Sequence, residues 1–167
     1  MSMIGNYYMI DEEIIKKIRQ GELLVENLIY DENDDVDEEK SLDIDKAWHA
    51  IHFTLTGEIG KVNNDDVLCK IVLSGNLVND EDVGYGPAHE ITSDEVKKIN
   101  LAIKDMSEDD FRSRFNFQKM VESEVYPISE GEDEGEFFEY IWYYFDALKV
   151  FFAKASESNS CILSYLN

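Results

Sequence analysis

The 167-residue chain has the length of a single domain and carries 37 Asp and Glu against 15 Lys and Arg, a formal net charge of −22. Charge of that sign and size repels nucleic acid and anionic membranes and attracts basic surfaces. With 44% hydrophobic residues, among them nine Tyr, nine Phe and two Trp, the chain has ample core material. That excludes intrinsic disorder and removes any need for a disulfide or metal to hold the fold.

In chain order, Met3 to Ile10 alternates loosely and is rich in Tyr and Ile, which predicts a strand. Asp11 is placed as an N-cap, with Glu12 and Glu13 in the first turn of a helix that buries Ile14, Ile15 and Ile18. A short helix is expected over Leu23 to Ile29. In 31–39 seven of nine residues are acidic, so this segment reads as a solvated loop. It lacks the Gly and Glu register of a calcium loop. Ser41 to Thr56 reads as a helix stopped by Gly57, and Asp65 to Leu73 as a helix stopped by Gly75. Val83 to Pro87 is a turn, and Ala88 to Ile91 a short strand. Thr92 and Glu95 have capping-box spacing, which starts a helix running to about Met106; Ser107 and Asp110 start another. The pair Tyr126-Pro127 breaks the chain. The acidic segment 130–136, with two glycines, reads as a mobile loop. Phe137 to Ala155 is a long aromatic helix and Cys161 to Leu166 a closing strand. Few strands among many helices predict one α+β domain spanning 1–167, with helices packed on a small, mostly antiparallel sheet.

The helix predicted over 41–56 concentrates the chemistry. Ile44, Trp48, Ile51 and Leu55 form an apolar stripe at i, i+4, i+7 and i+11. Shifted by one residue, Asp45, His49, His52 and Thr56 form a polar stripe holding two of the chain's three histidines. The plain reading makes His52 a half-buried, hydrogen-bonded imidazole with Asp45 and His49 in water. The sharper one has Asp45 orient or tune His49 beside a small pocket, since histidine carries protons near neutral pH. The weak catalytic candidates are Asp45, His52 and His89. Asp43, Asp45, His49, Tyr85, Tyr140 and Tyr143 are weak binding candidates. Zinc needs at least three ligands; with no denser cluster than His49, His52 and Asp45 or His89, no metal and no cofactor is expected.

The run Leu42-Asp43-Ile44-Asp45-Lys46-Ala47-Trp48, then Ile51-His52-Phe53 and Leu55-Thr56-Gly57, resembles the signature of the YfbM-like family, also called DUF1877, of unknown function. That pattern reads L-D-x-D-K-x-W-x-x-L-H-F-x-L-T-G. Ile51 replaces its Leu, His49 falls on a variable position and His52 on a fixed one. Met3-Ile4-Gly5, Gly86-Pro87-Ala88 with Thr92 to Val96, and Val125-Tyr126-Pro127 also fit, so the resemblance spans nearly the whole chain. It implies an α+β fold and a cytoplasmic bacterial protein, with no established activity, substrate or cofactor. The segment 31–39 looks like a local elaboration on it.

Other signatures are missing. Gly84 and Gly86 precede a Pro rather than opening a helix, so there is no phosphate loop. Neither a G-x-S-x-G elbow nor a basic patch with interleaved aromatics occurs. Cys69 and Cys161 form no C-x-x-C motif, and no basic leader opens the sequence, which points to free thiols in a reducing, cytoplasmic setting. The apolar run from Phe137 to Phe152 falls short of the roughly 20 residues of a membrane span and carries Glu139, Asp146 and Lys149. The expectation is a non-enzymatic protein-binding module, of the immunity or antitoxin kind, that neutralises a basic protein. No nucleic acid and no membrane is expected as partner. The alternative is a small enzyme or ligand-binding domain using the Asp45 and His52 helix face.

Overall fold

Alternating apolar and polar side chains give the chain its first strand, β1 (Gly5–Ile10). Tyr7 and Met9 point to one side of the sheet, Tyr8 and Ile10 to the other. The computed structural model describes residues 2–30, 37–60, 65–72 and 76–167. Within them, β1 is joined by β2 (Ser41–Asp43), β3 (Leu77–Asp82), β4 (Pro87–Ile91) and β5 (Cys161–Leu166) in one five-stranded sheet. The order is β2-β1-β5-β4-β3, and each pairing is antiparallel. Tyr7 faces Ser164 across β1 and β5, and Ser164 faces His89 across β5 and β4.

Helices cover both faces of this sheet. On one side lie α1 (Glu12–Arg19) and α2 (Glu26–Ile29), whose Ile15, Ile18 and Ile29 pack with Ile10, Ala88 and Leu163. Ile14 is only partly buried there. Asp11 occupies the N-cap position of α1 without a side-chain capping bond. On this side Glu90 of β4 is buried and ion-paired to Arg19. The larger core lies on the other side, under α3 (Trp48–Thr56), α4 (Ser93–Ile103), α5 (Glu108–Arg114), α6 (Phe117–Glu122) and α7 (Glu134–Glu157). Both expected capping boxes are formed, Thr92 with Glu95 and Ser107 with Asp110. In α7 the buried residues Phe138, Ile141, Phe145, Leu148, Phe152 and Ala155 recur every three or four positions. Phe111 of α5 stacks on Phe145 with ring centroids 4.4 Å apart. The aromatic face of α7 is thus the centre of the core rather than an all-round apolar rod.

The structure corrects several expected boundaries. Residues 41–56 are not one helix. Ser41–Asp43 pairs with β1 as an edge strand, Asp45–Ala47 forms a single 3-10 turn, and the α-helix begins only at Trp48. The break is at Asp45, whose φ is +48°; a right-handed helix cannot pass through that conformation. The side chain of Asp43 compensates by accepting the Asp45 backbone N–H at 2.6 Å. The end of α3 is as expected, with Gly57 at φ +72° and its N–H returned to the Phe53 carbonyl. The apolar stripe Ile44, Trp48, Ile51 and Leu55 is buried throughout. Gly5 lets it approach the sheet: a Cβ there would lie 2.9 Å from the Trp48 Cβ and 3.0 Å from the Ile44 Cγ1.

Between Asp65 and Leu73 the described residues form only a 3-10 turn, Val67–Lys70, capped by Asp66; Leu73 and Gly75 lie outside the described residues. Most of the acidic segment, 31–36, lies outside them as well. The second acidic segment is not a loop throughout. Asp133 caps α7 by accepting the Glu136 N–H at 2.9 Å, and Glu134 and Glu136 belong to its first turn. Negative side chains at that end are favoured by the helix dipole. Among the described residues no helix is long and apolar enough to cross a membrane.

Candidate functional site

The two histidines of α3 face different environments. The Nδ1 of His49 accepts the Tyr126 backbone N–H at 3.1 Å. Its Nε2 therefore carries the proton and donates to the Ile59 carbonyl at 2.6 Å. The imidazole stacks on Trp48, centroids 5.0 Å apart, and burial holds its pKa below the ordinary value. Both nitrogens are engaged, so His49 ties α3 to the segments at 59 and 126 in one fixed neutral tautomer. His52 is fully buried, and neither ring nitrogen has a hydrogen-bond partner among the described residues. Burial pushes its pKa down to about 4; nearby His49 adds to the shift and Asp66 opposes it. The stripe predicted to run beside the core therefore dives into it at His52.

Asp45 meets neither histidine in a hydrogen bond. Its Oδ2 accepts the Tyr140 hydroxyl at 3.0 Å. Burial and this carboxylate raise the Tyr140 pKa. Tyr140 packs edge-on against Tyr144 at 5.3 Å, and Tyr144 against Tyr143 at 5.1 Å. Burial and then the charges of Asp45 and Asp43 raise the Tyr144 pKa. Four candidate binding residues, Asp43, Asp45, Tyr140 and Tyr143, thus gather where the 3-10 turn meets the first half of α7. Tyr143 is 69% exposed. An open groove of about 410 Å³ adjoins them, with Asp45, Glu132, Asp133 and Glu136 around Phe137 and Tyr140. Lys46 is the one basic residue among the described residues lining it.

The remaining candidates, His89 and Tyr85, lie elsewhere. They line a cavity of about 180 Å³ between the sheet and the start of α3, together with Tyr7, Trp48 and Ser164. Its floor is the cross-strand row Tyr7, Ser164, His89. The Tyr7 hydroxyl is committed to the Ile71 carbonyl at 2.9 Å, and the Trp48 indole N–H to the Met3 carbonyl at 2.9 Å. Burial holds the His89 pKa below the ordinary value. Sequence reasoning missed Tyr7 and Ser164. Alternation shows which face they share, but only the strand register brings them to His89. Among the described residues no group of three or more His, Cys, Asp or Glu is arranged to hold a metal ion. Both cysteines are buried, and neither is in a disulfide.

The overall likeness to known proteins matches this architecture. Protein YfbM of Escherichia coli (strain K12) is 27% identical over 143 residues, which cover 83% of this chain and 82% of that protein. The crystal structure of YfbM from Escherichia coli, described as a protein of unknown function, shares the fold with a TM-score of 0.73 at 25% identity. That likeness covers 98% of this chain and 99% of the other. Residues 1–165 match the family described as a domain of unknown function, DUF1877. The chain is a member of the DUF1877, YfbM-like family.

Proposed function

We propose that this domain is a non-enzymatic, cytoplasmic protein-binding module that engages a partner with a basic face, as an immunity protein or antitoxin engages a basic toxin. The observation that carries the reading is the acidic, aromatic face around Asp45 and Tyr140. There, four groove carboxylates surround Phe137 and Tyr140, and Tyr143 stands exposed alongside. On a chain of net charge −22 such a face attracts cationic side chains from a distance, while the tyrosines supply rigid contact area. The competing reading, an enzyme on the Asp45 and His52 helix face, draws little from the geometry. Both His49 nitrogens are engaged with backbone, and His52 is sealed in the core. Two buried cysteines outside any disulfide support the cytoplasmic assignment.

The test is affinity capture from the native cell, identification by mass spectrometry, and binding kinetics on the purified pair. The association rate should fall by about tenfold or more as the Debye length shrinks from about 10 Å at 0.1 M salt to about 3 Å at 1 M. The triple substitution Asp45→Asn, Glu132→Gln, Glu136→Gln should slow association and barely change dissociation, whereas Tyr140→Ala should speed dissociation. An association rate indifferent to salt and to the triple substitution refutes the proposal and leaves the charge as a solubility feature.

A further inference from the structure

The cavity over the central strands has a composition unlike the rest of this surface. On a chain with 37 acidic residues, no Asp, Glu, Lys or Arg lines it among the described residues. Its walls include Trp48, Tyr7 and Tyr85, and Ser164 and His89 are polar residues of its floor. The Ser164 hydroxyl, on a residue only 4% exposed, and the His89 imidazole make no hydrogen bond among the described residues. Both polar groups reach the cavity instead of being sealed in the core, so a ligand there meets them directly, and the two are cross-strand neighbours on one floor. Three surrounding features are rigidly held. Tyr7 is bonded to Ile71, Trp48 to Met3, and His49 both stacks on Trp48 and fixes the Ile59 carbonyl next to the lining residue Gly60. Tyr85, 41% exposed, and the exposed Gly60 bring the wall to solvent.

We infer that this cavity is a binding site for a small, uncharged, planar nitrogen heterocycle of about nucleobase size. The ligand would stack on the aromatic wall and present a donor–acceptor edge to Ser164 and His89. The size follows from the volume: about 180 Å³ equals roughly six waters of liquid, enough for a flat ring and too little for a drug-sized molecule. The edge follows from the two open groups. A hydroxyl and a neutral imidazole each donate one proton and accept one; burial keeps the His89 imidazole in its neutral form. An amide-like ring edge satisfies both capacities at once. A permanently charged ammonium offers no acceptor to the donors and finds no carboxylate among the described lining residues, and an anion finds no cation among them and meets a strongly negative protein. The site is separate from the acidic face and does not depend on the partner-binding reading.

The test is protein-observed NMR on the full chain, titrated separately with adenine, cytosine and nicotinamide, and with benzoate and tetramethylammonium as charged controls. Each of the three neutral rings, or at least one, should shift the Trp48 indole and the Ser164 and His89 backbone signals with millimolar or tighter affinity. Ser164→Ala and His89→Gln should each weaken that binding by about three- to tenfold, the worth of one hydrogen bond. Ser164→Ala is close to isosteric and His89 is only partly buried, so both variants should fold, which their own spectra would report. No shift with any neutral ring at about 10 mM, equal shifts with benzoate or tetramethylammonium, or affinities unchanged in both variants would each overturn the assignment.

Discussion

Replacing His52 by Leu should make the protein more stable and less sensitive to acid. The imidazole is fully buried, and neither nitrogen is hydrogen-bonded among the described residues. Burying an unpartnered polar group costs about 1–3 kcal/mol on mutational scales, so an apolar side chain of similar length should recover part of that at pH 7.5. The acid term has a definite sign. The pKa of His52 is pushed down to about 4 in the folded protein, against about 6.5 for an unfolded histidine. Between those values the unfolded chain takes up a proton and the folded one does not, so the stability present above pH 6.5 is lost progressively as pH falls toward 4. From pH 7.5 to pH 5.0 this single group should remove about 2 kcal/mol. His49 and His89, also shifted down by burial, act in the same direction but remain in the variant as a common background. Urea unfolding of wild type and His52→Leu at the two pH values isolates the term, because packing differences between Leu and His cancel in the pH comparison. Both conditions lie above the isoelectric point of about 4.2. Equal losses on acidification in the two proteins would refute the reasoning about the pKa. A loss of roughly 2 kcal/mol or more at pH 7.5 in the variant would show that the imidazole has a buried partner.

Trp48→Ala should cost about 3–5 kcal/mol in urea unfolding, since it empties a site packed against Gly5, His49 and Tyr126 and strips the Met3 carbonyl of its donor. Thr92→Ala should cost about 1 kcal/mol by the same measurement, because the backbone N–H of Glu95 loses its acceptor and the capping box opens. Metal analysis of protein purified without chelator should find well under one zinc per chain; one tightly held zinc lost in His52→Ala would revive the enzyme reading.

Much of the fold was legible in the sequence because its signals are local. The capping boxes at Thr92 and Ser107, the stop at Gly57 and the strand Cys161–Leu166 each rest on a few adjacent residues, and each is present. The stripe from Ile44 to Leu55 was assigned to the right side of the molecule, yet it concealed β2. Spacing alone cannot register the left-handed turn at Asp45, across which Ile44 and the helix residues Trp48, Ile51 and Leu55 still bury the same way. Strand β3 escaped notice because its sequence, Leu-Val-Asn-Asp-Glu-Asp, has little strand propensity. It is tolerated at an edge, where charged side chains reach water and discourage pairing with other chains. The candidate site was legible only as residue types. The Asp45–Tyr140 bond spans 95 positions of sequence, and the row Tyr7, Ser164, His89 exists only through strand register. Long-range geometry of this kind leaves no local trace.

The sheet order has a consequence for how the molecule comes into being. Strand β5 follows every other described element in the chain, yet it lies at the centre of the sheet, between β1 and β4. Until residues 161–166 are present, β1 with β2 and β4 with β3 are two separate ribbons, each showing an open inner edge. A two-stranded ribbon is marginal alone, so the sheet cannot be completed piecemeal as synthesis proceeds. Its decisive pairing joins segments more than 150 positions apart, Gly5 to Leu166 and Ile10 to Cys161, a contact that is slow to find and leaves exposed edges while it is sought. A nascent chain of this protein would therefore depend on shielding of both inner edges during elongation, and a chain arrested before residue 161 would be a candidate for aggregation rather than a partly working domain.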